Sequence, residues 1–511
     1  MTINALQNQT VLILGLGSSG LAMARWCVRQ GARVSVADTR AAPPQLALLQ
    51  NDLPDVRFIC SELNAALLHE SGAQLVLKGP GIAPTQIAPL LAAAKMGMVA
   101  VGGELNLFAQ ALDDLRVTQN YEPHILAVTG TNGKTTVTAL TGQLVERAGK
   151  TVAVAGNIGP TLLDTLTERL DKAALPEVWA IELSSFQLAD ALSLNVPLPR
   201  LEASAACVMN LTQDHLDWHG NMAAYAQAKA QIFGRQTLML LNRDDAQVIA
   251  MLPLPAKGRP VRQHLTFGAT LPQRPGDFGL EHVNGMAWLV RAMEQDPTYK
   301  PRRGQDADAL HIQRLIPAEA LRIRGRHNAV NALAALALAT AAGCTLAPML
   351  YGLREYRGEP HRVESIGVVH DVEYFDDSKG TNVGATVAAL GGLGAERKLV
   401  VILGGDGKGQ DFSPLAVPVA QFARAVVLIG RDASLIRAAL HGSGVELLAA
   451  SDMADAVAQA AAHAHTGDAV LLSPACASLD MFDNYLHRAR AFCDAVQTLA
   501  QDAGVVLEGS A

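Results

Sequence analysis

Aromatic side chains are scarce in this chain: Phe, Trp and Tyr together make 4% of 511 residues, although apolar residues make up 50%. Its cores must therefore be built mainly from Ala, Leu and Val. Cysteines are few too, and the six (Cys27, Cys60, Cys207, Cys344, Cys476 and Cys493) lie far apart with no Cys-x-x-Cys pair. They read as small buried hydrophobes in a reducing compartment rather than as a disulfide framework. No apolar run is long enough to span a bilayer, and Met1 to Thr10 is polar and lacks a signal sequence. A cytoplasmic protein without membrane insertion is expected. Positive charge is not in excess, with 41 basic against 48 acidic residues and a net charge of −7. That balance argues against a nucleic-acid partner while leaving an anionic small substrate open.

What is present is glycine-rich turns between strands and helices. The length suggests about three domains, each large enough for its own core. Ile125-Leu126-Ala127-Val128 reads as a buried strand, and the apolar-periodic stretch from Val137 to Ala148 as a helix. Between them lies Gly130-Thr131-Asn132-Gly133-Lys134-Thr135-Thr136. Such a loop lets backbone N–H groups and the positive end of the helix dipole converge on phosphate. Lys134 would reach the outer phosphates of ATP and the Thr135 hydroxyl would hold Mg²⁺. Val128 stands where the general phosphate-loop pattern has its first glycine, so the match is to a narrower group than a generic ATPase.

An earlier block runs strand Val11 to Leu14, turn Gly15-Leu16-Gly17-Ser18-Ser19-Gly20, a helix to about Gln30, and strand Arg33 to Ala37, with Asp38 at its end. This is the Gly-x-Gly-x-x-Gly arrangement of a nucleotide-binding βαβ unit, with an acid placed to meet a ribose or base. Taken alone it suggests NAD and a dehydrogenase, but that reading leaves the phosphate loop unexplained. Asp113 to Pro123 is less patterned and reads as a linker. Leu252 to Arg324 reads as antiparallel strands with a surface insertion, and Met293 to Asp308 as a mobile loop without an assigned function. A third strand–helix block opens near Glu359. The expected fold is α/β in three domains: a Rossmann-like N-terminal domain (1–112), a phosphate-loop central domain with a mostly parallel sheet (113–358), and a Rossmann-like C-terminal domain (359–511).

Chemistry concentrates at the strand ends of the central block. Glu182 closes strand Val178 to Ile181 and is suitably placed to complete a Mg²⁺ site with Thr135. Asp214-His215-Leu216-Asp217-Trp218-His219 makes zinc conceivable, but the set does not match the helical His pair with its supporting Glu. A second hard metal or a substrate-facing role suits His215 better. Lys229, near the middle of an expected helix Ala223 to Phe233, reads as an ordinary solvated lysine.

The phosphate loop, Glu182-Leu183-Ser184-Ser185-Phe186-Gln187-Leu188, the Asp214 to Asp217 segment, Gly325-Arg326-His327-Asn328-Ala329-Val330-Asn331, His361-Arg362 and Asp376-Asp377-Ser378-Lys379-Gly380-Thr381-Asn382 occur in one order. That order resembles the Mur ligase family over nearly the whole chain. Gly404-Gly405-Asp406-Gly407-Lys408 and Leu472-Ser473-Pro474-Ala475-Cys476-Ala477-Ser478-Leu479-Asp480 are most similar to the members that add D-glutamate. The resemblance implies ATP-dependent ligation of D-glutamate to UDP-N-acetylmuramoyl-L-alanine through an acyl phosphate, in cytoplasmic peptidoglycan precursor synthesis, by a monomer. A sister ligase or a folylpolyglutamate synthase-like enzyme would differ only in amine and acceptor, whereas a non-catalytic ATP-binding module would not need the polar set of the third domain.

By the same resemblance Lys134, Glu182, His215 and Lys229 are catalytic, and two Mg²⁺ sites involve Thr135, Glu182, His215 and a carbamylated Lys229. Gly130 to Thr136, Asn328, Asn331, Arg362 and Asp377 would bind ATP. For Asn328 simple helix N-capping, and for Arg362 and Asp377 a surface ion pair, remain alternatives. Ser18, Ser19, Asp38, Thr39, Arg40, Gly79, Gly81 and Asn157 would serve the UDP substrate. Lys379, Thr381, Lys408, Ser478 and Leu479, closed by Tyr485, would hold D-glutamate. The members that add D-glutamate generally have Phe at the Tyr485 position followed by a glycine-containing turn, where Leu486-His487-Arg488-Ala489-Arg490 follows here. The last helix is therefore expected to pack differently.

Overall fold

The computed structural model describes residues 6–190, 198–255, 262–295 and 310–507. The first sheet contains β1 (Thr10–Leu14), β2 (Arg33–Asp38), β3 (Arg57–Cys60), β4 (Leu75–Lys78) and β5 (Ala100–Gly102). It is wholly parallel in the order β3-β2-β1-β4-β5. The second contains β6 (His124–Thr129), β7 (Val152–Gly156), β8 (Val178–Glu182), β9 (Ala205–Val208), β10 (Leu238–Asn242) and β11 (His264–Phe267). It too is parallel, in the order β11-β10-β9-β6-β8-β7. Strands β12 (Phe278–Val283), β13 (Met286–Glu294) and β14 (Leu310–Pro317) form a small antiparallel sheet.

The last sheet is built from β15 (Glu364–Val369), β16 (Val372–Asp376), β17 (Leu399–Gly404), β18 (Ala423–Ile429), β19 (Glu446–Ala449) and β20 (Ala469–Leu472). Its order is β15-β16-β20-β17-β18-β19, parallel except for the β15–β16 hairpin. The architecture is thus α/β with mostly parallel sheets, whose carboxyl ends are where ligands gather in such folds.

The shortage of aromatics is met by alanine packing. The helix Arg326–Ala341 buries every residue from Asn328 to Ala339, six of them Ala, and lies on the helix Lys134–Arg147. A helix buried all round needs small side chains so that its neighbours can approach closely. One hydrophobic core is shared by the first two sheets. It includes Val11, Ile13 and Leu77 on one side and Ala127, Trp179 and Val208 on the other. Phe108, on the helix Glu104–Gln119, meets Trp179 edge to face at 5.1 Å.

Three expectations are corrected here. The helix Glu104–Gln119 runs through Asp113 and ends at Asn120 in the left-handed region (φ 53°), so most of the stretch Asp113 to Pro123 is helix rather than linker. Its buried Leu112 and Leu115 supply the apolar face that holds it in place. Within Leu252 to Arg324, β11 is parallel and belongs to the second sheet. Of the loop expected over Met293 to Asp308, Met293 and Glu294 end β13, whereas 296–308 lies outside the described residues.

Candidate active site

The phosphate loop leaves β6 at the point where the register pairs Val128 with Glu182 of β8. Gly130 (φ 151°) passes so close to β9's extension that a Cβ would lie 2.8 Å from Met209 Cβ. Gly133 (φ 81°) starts the helix Lys134–Arg147, and a Cβ there would lie 2.7 Å from Asn331 Oδ1. Both positions need glycine for conformation and for space. Lys134 Nζ donates to the carbonyls of Gly130 (2.9 Å) and Thr131 (2.7 Å), so its ammonium curls over its own loop. Burial lowers its pKa, with Glu182 opposing the shift.

Glu182 is almost fully buried and gathers three elements. Thr135 Oγ1 donates to its Oε2 (2.9 Å) and Asn157 Nδ2 to its Oε1 (2.7 Å). Gly156, paired with Glu182 across β7 and β8, carries the chain into Asn157. Thr135 Oγ1 also accepts from Arg362 Nη2, an arginine from the start of the last block. A hydroxyl and a carboxylate at adjoining strand ends are the hard oxygen donors that Mg²⁺ takes.

Lys229 overturns the solvated-lysine reading. It sits in the last turn of the helix Met222–Ala230 and is 1% exposed. Its Nζ donates to Gly130 O (2.7 Å) and reaches Thr129 Oγ1 (3.4 Å), with the Tyr225 ring 4.7 Å away. Burial, then the charge of Lys134, pushes its pKa well down, which favours a neutral amine. His215 adopts a left-handed backbone (φ 53°), and its Nε2 is 3.6 Å from Asp214 Oδ2. Burial lowers its pKa against the pull of Asp214, and the charges of Lys408, Lys134 and Lys229 add to the lowering. Phe186 packs edge-on to the His215 ring at 4.7 Å.

Residues of the last sheet converge on one edge. The β16 end leads to Asp377, Lys379 and Thr381, the β17 end to Lys408, and the β20 end to Ser478 and Leu479. An isolated bridge between Asp406 and Ala477 brings the latter two segments together. Asp377 is buried and accepts from Ser473 Oγ (2.7 Å), so it is not part of an exposed ion pair. Burial raises its carboxyl to about 7. Lys379 Nζ lies over the Tyr485 ring at 3.8 Å, and burial followed by the Arg362 charge lowers it to about 8. Ser478 is buried and Leu479 is exposed; Thr381 N donates to Lys379 O (2.9 Å).

The last helix, Tyr485–Asp502, carries a buried Arg488 that donates to Cys476 O (3.1 Å) and Ser378 O (2.9 Å), bracing the Lys379 turn. Asn328 is not an N-cap, because Gly325 holds that position. Its Nδ2 donates to Arg324 O (2.8 Å) and its Oδ1 accepts from Asn331 Nδ2 (3.0 Å).

In the first domain Ser18, Ser19, Asp38, Thr39, Arg40, Gly79 and Gly81 all line one cavity of about 710 Å³ at the carboxyl edge of the sheet. That volume suits a nucleotide-sized ligand. Asp38 does not present a free ribose acceptor. It takes Leu16 N–H (2.8 Å) and the Arg40 Nε and Nη2 (2.9 and 2.8 Å), and the Arg40 hydrogen bonds lead in lowering it to about 2. Asn157 lies with Glu182, outside this cavity.

Sequence reasoning passed over several residues here. Asp214, whose charge acts on Lys134, Lys229 and His215, stood inside a noted segment without a role. Asn210 exchanges hydrogen bonds with the Asn132 backbone, its Oδ1 accepting from N (2.8 Å) and its Nδ2 donating to O (3.1 Å). Asn382 joins Asn132 from the last domain. All three lie in the loops that follow strand ends, Asn210 and Asp214 after β9 and Asn382 after β16.

Three family models match successive parts of the chain: the Mur ligase MurD-like N-terminal domain over residues 9–102, the Mur ligase middle domain over 128–339, and the Mur ligase glutamate ligase domain over 361–476. The chain is 66% identical to a UDP-N-acetylmuramoylalanine–D-glutamate ligase of Albidiferax ferrireducens, covering 100% of both chains. It is 58% identical to the enzyme of the same name from a Polaromonas species, covering 98% of this chain and 100% of the relative. Among solved structures, the UDP-N-acetylmuramate–alanine ligase of Thermotoga maritima shares the fold, with TM-score 0.54 and 20% identity over 96% of this chain and 100% of that one.

Proposed function

The chain belongs to the Mur ligase family, and we propose that it uses ATP to join D-glutamate to UDP-N-acetylmuramoyl-L-alanine in the cytoplasm. The observation that carries this reading is the convergence on Thr135: its hydroxyl donates to Glu182 and accepts from Arg362 of the last domain. Phosphate loop, metal-type carboxylate and amino-acid domain thus meet at one atom. The relatives that match over nearly the whole of both chains are named for this reaction.

Activating a carboxylate with ATP sets two anions side by side, and most of the catalysis is neutralisation and positioning. The loop N–H groups and Lys134 would hold the outer phosphates, with Asn331, beside Gly133, and Asn328 toward the base. The oxygen donors of Thr135 and Glu182 fit Mg²⁺, which when bound supplies charge neutralisation between those anions. Asn157 orients the Glu182 carboxylate. His215 and Lys229 would serve a second ion, the lysine after its neutral amine adds to carbon dioxide and loses a proton to become a carbamate.

The uridine diphosphate would occupy the first-domain cavity, with Arg40 held in place by Asp38. Lys379, Thr381, Lys408, Ser478 and the Leu479 N–H would receive the two carboxylates of D-glutamate. Once the acid is phosphorylated, the amine displaces phosphate through a tetrahedral intermediate. Phosphate release by the purified protein with UDP-N-acetylmuramoyl-L-alanine, Mg²⁺ and ATP, screened across D- and L-amino acids, tests the reading. Release dependent on D-glutamate supports it. Release with a different amino acid makes it a sister ligase, and none with any amino acid refutes it.

A further inference from the structure

The helix Val383–Leu393 of the last domain points its N-terminus at the phosphate loop, and its N-cap, Asn382, is 4% exposed. The Asn382 carboxamide makes four hydrogen bonds. Its Oδ1 accepts from Ala385 N (2.9 Å), the capping bond, and from Asn132 Nδ2 (3.1 Å). Its Nδ2 donates to Asn132 Oδ1 (3.0 Å) and to Asp214 Oδ2 (3.4 Å). Two amides facing each other in this way form a reciprocal pair with little tolerance for sliding. Asn132 belongs to the loop that Asn210 grips by its backbone. The helix can seat this closely because Gly384 lacks a side chain: a Cβ would lie 2.6 Å from Thr212 Oγ1.

Capping alone does not require asparagine. Ser, Thr or Asp supply the acceptor equally well, and only Asn adds two donors in the same plane. Those donors go to the loop and to Asp214, whose charge bears on Lys134, Lys229 and His215. We propose that Asn382 is a positioning residue that links docking of the amino-acid domain to the shape of the phosphate loop, holding Asn132 in place when that domain is seated. The inference rests on the ligase reading for its effect on turnover, but the coupling itself is a property of the folded chain.

The test separates cap from bridge. Asn382→Asp and Asn382→Ser keep an acceptor for Ala385 N–H, so exchange protection of 383–393 should match the parent. Asp also sets a carboxylate against Asp214 and Asn132 Oδ1. Hydrogen exchange of the full chain without nucleotide should be faster in 130–136 by about fivefold or more in both variants. Unchanged loop exchange overturns the proposal whether or not the protein proves to be a ligase. In the turnover assay kcat should fall by roughly 10- to 100-fold, with KM for the muramoyl nucleotide unchanged. Asn132→Ala combined with Asn382→Asp should be no slower than the slower single variant, within about twofold. Multiplying effects, or a kcat loss that merely tracks a lower melting temperature, would also overturn it. An inactive parent counts against the ligase reading alone, since the loop-exchange arm still decides this one.

Discussion

Lys229 is an amine whose surroundings disfavour its charge, and the consequence can be measured. Lys229→Ala should lose most turnover and recover part of it when short carboxylic acids are added, because these can occupy the place of a carbamate. No recovery across acetate and propionate would argue against the carbamate. Lys134→Ala should lower kcat roughly a thousandfold with the fold intact by circular dichroism, the scale for removing a charged donor from a developing anion. Asp377 gives a pH signature. Its carboxyl titrates near 3.8 when unfolded and about 7 when folded, so between those values only the native state holds the proton. Its contribution is fully present below about pH 4 and is lost as pH rises through about 7. Asp377→Asn should flatten that slope, seen as a smaller difference in melting temperature between pH 5 and 7.5.

At this scale the sequence was uneven. The loop residues were legible because glycine, lysine and threonine at a strand–helix junction have few other uses. Lys229 was not, since a lysine among alanines on a short helix looks the same whether it faces water or Gly130 O. Asp38 was located correctly at its strand end, but Arg40 two residues on takes its oxygens, a local contact that motif spacing does not encode.

Among the elements, the Gly-x-Gly-x-x-Gly turn shows how a fingerprint becomes geometry. A Cβ on Gly20 would lie 2.0 Å from Gly15 O, a backbone atom that cannot swing aside. Gly20→Ala should therefore separate the helix Ser18–Arg29 from β1 and destabilise the first domain by about 1–3 kcal/mol, measured by calorimetry. Alternation of strands and helices was readable from apolar runs and turns. The helix Glu104–Gln119 was read from Asp113 on as linker, because its buried stripe of Leu112 and Leu115 is interrupted by charged residues. In the final helix the buried Arg488 guanidinium is tied to two carbonyls, Cys476 O and Ser378 O, that frame Lys379.

For the whole molecule, the cores divide the chain unequally. One apolar cluster runs through the first and second sheets together, whereas among the described residues the clusters of the last sheet draw only on those from Val363 onward. Calorimetry should show two transitions, one for the joined first and central domains and one for the last, and Gly20→Ala should shift only the former. Three separate transitions would contradict a shared core. The partition into three strand–helix blocks was legible in the chain, but the core shared by two of them was not, because it depends on which faces of Phe108 and Trp179 meet.

That inequality bears on how the amine choice proposed for the last domain could change. The last domain carries its own interior and touches the phosphate loop through a few side chains, chiefly Arg362 and Asn382. A transplanted counterpart that preserved those two contacts could bring a new amino-acid preference without disturbing the machinery that handles phosphate.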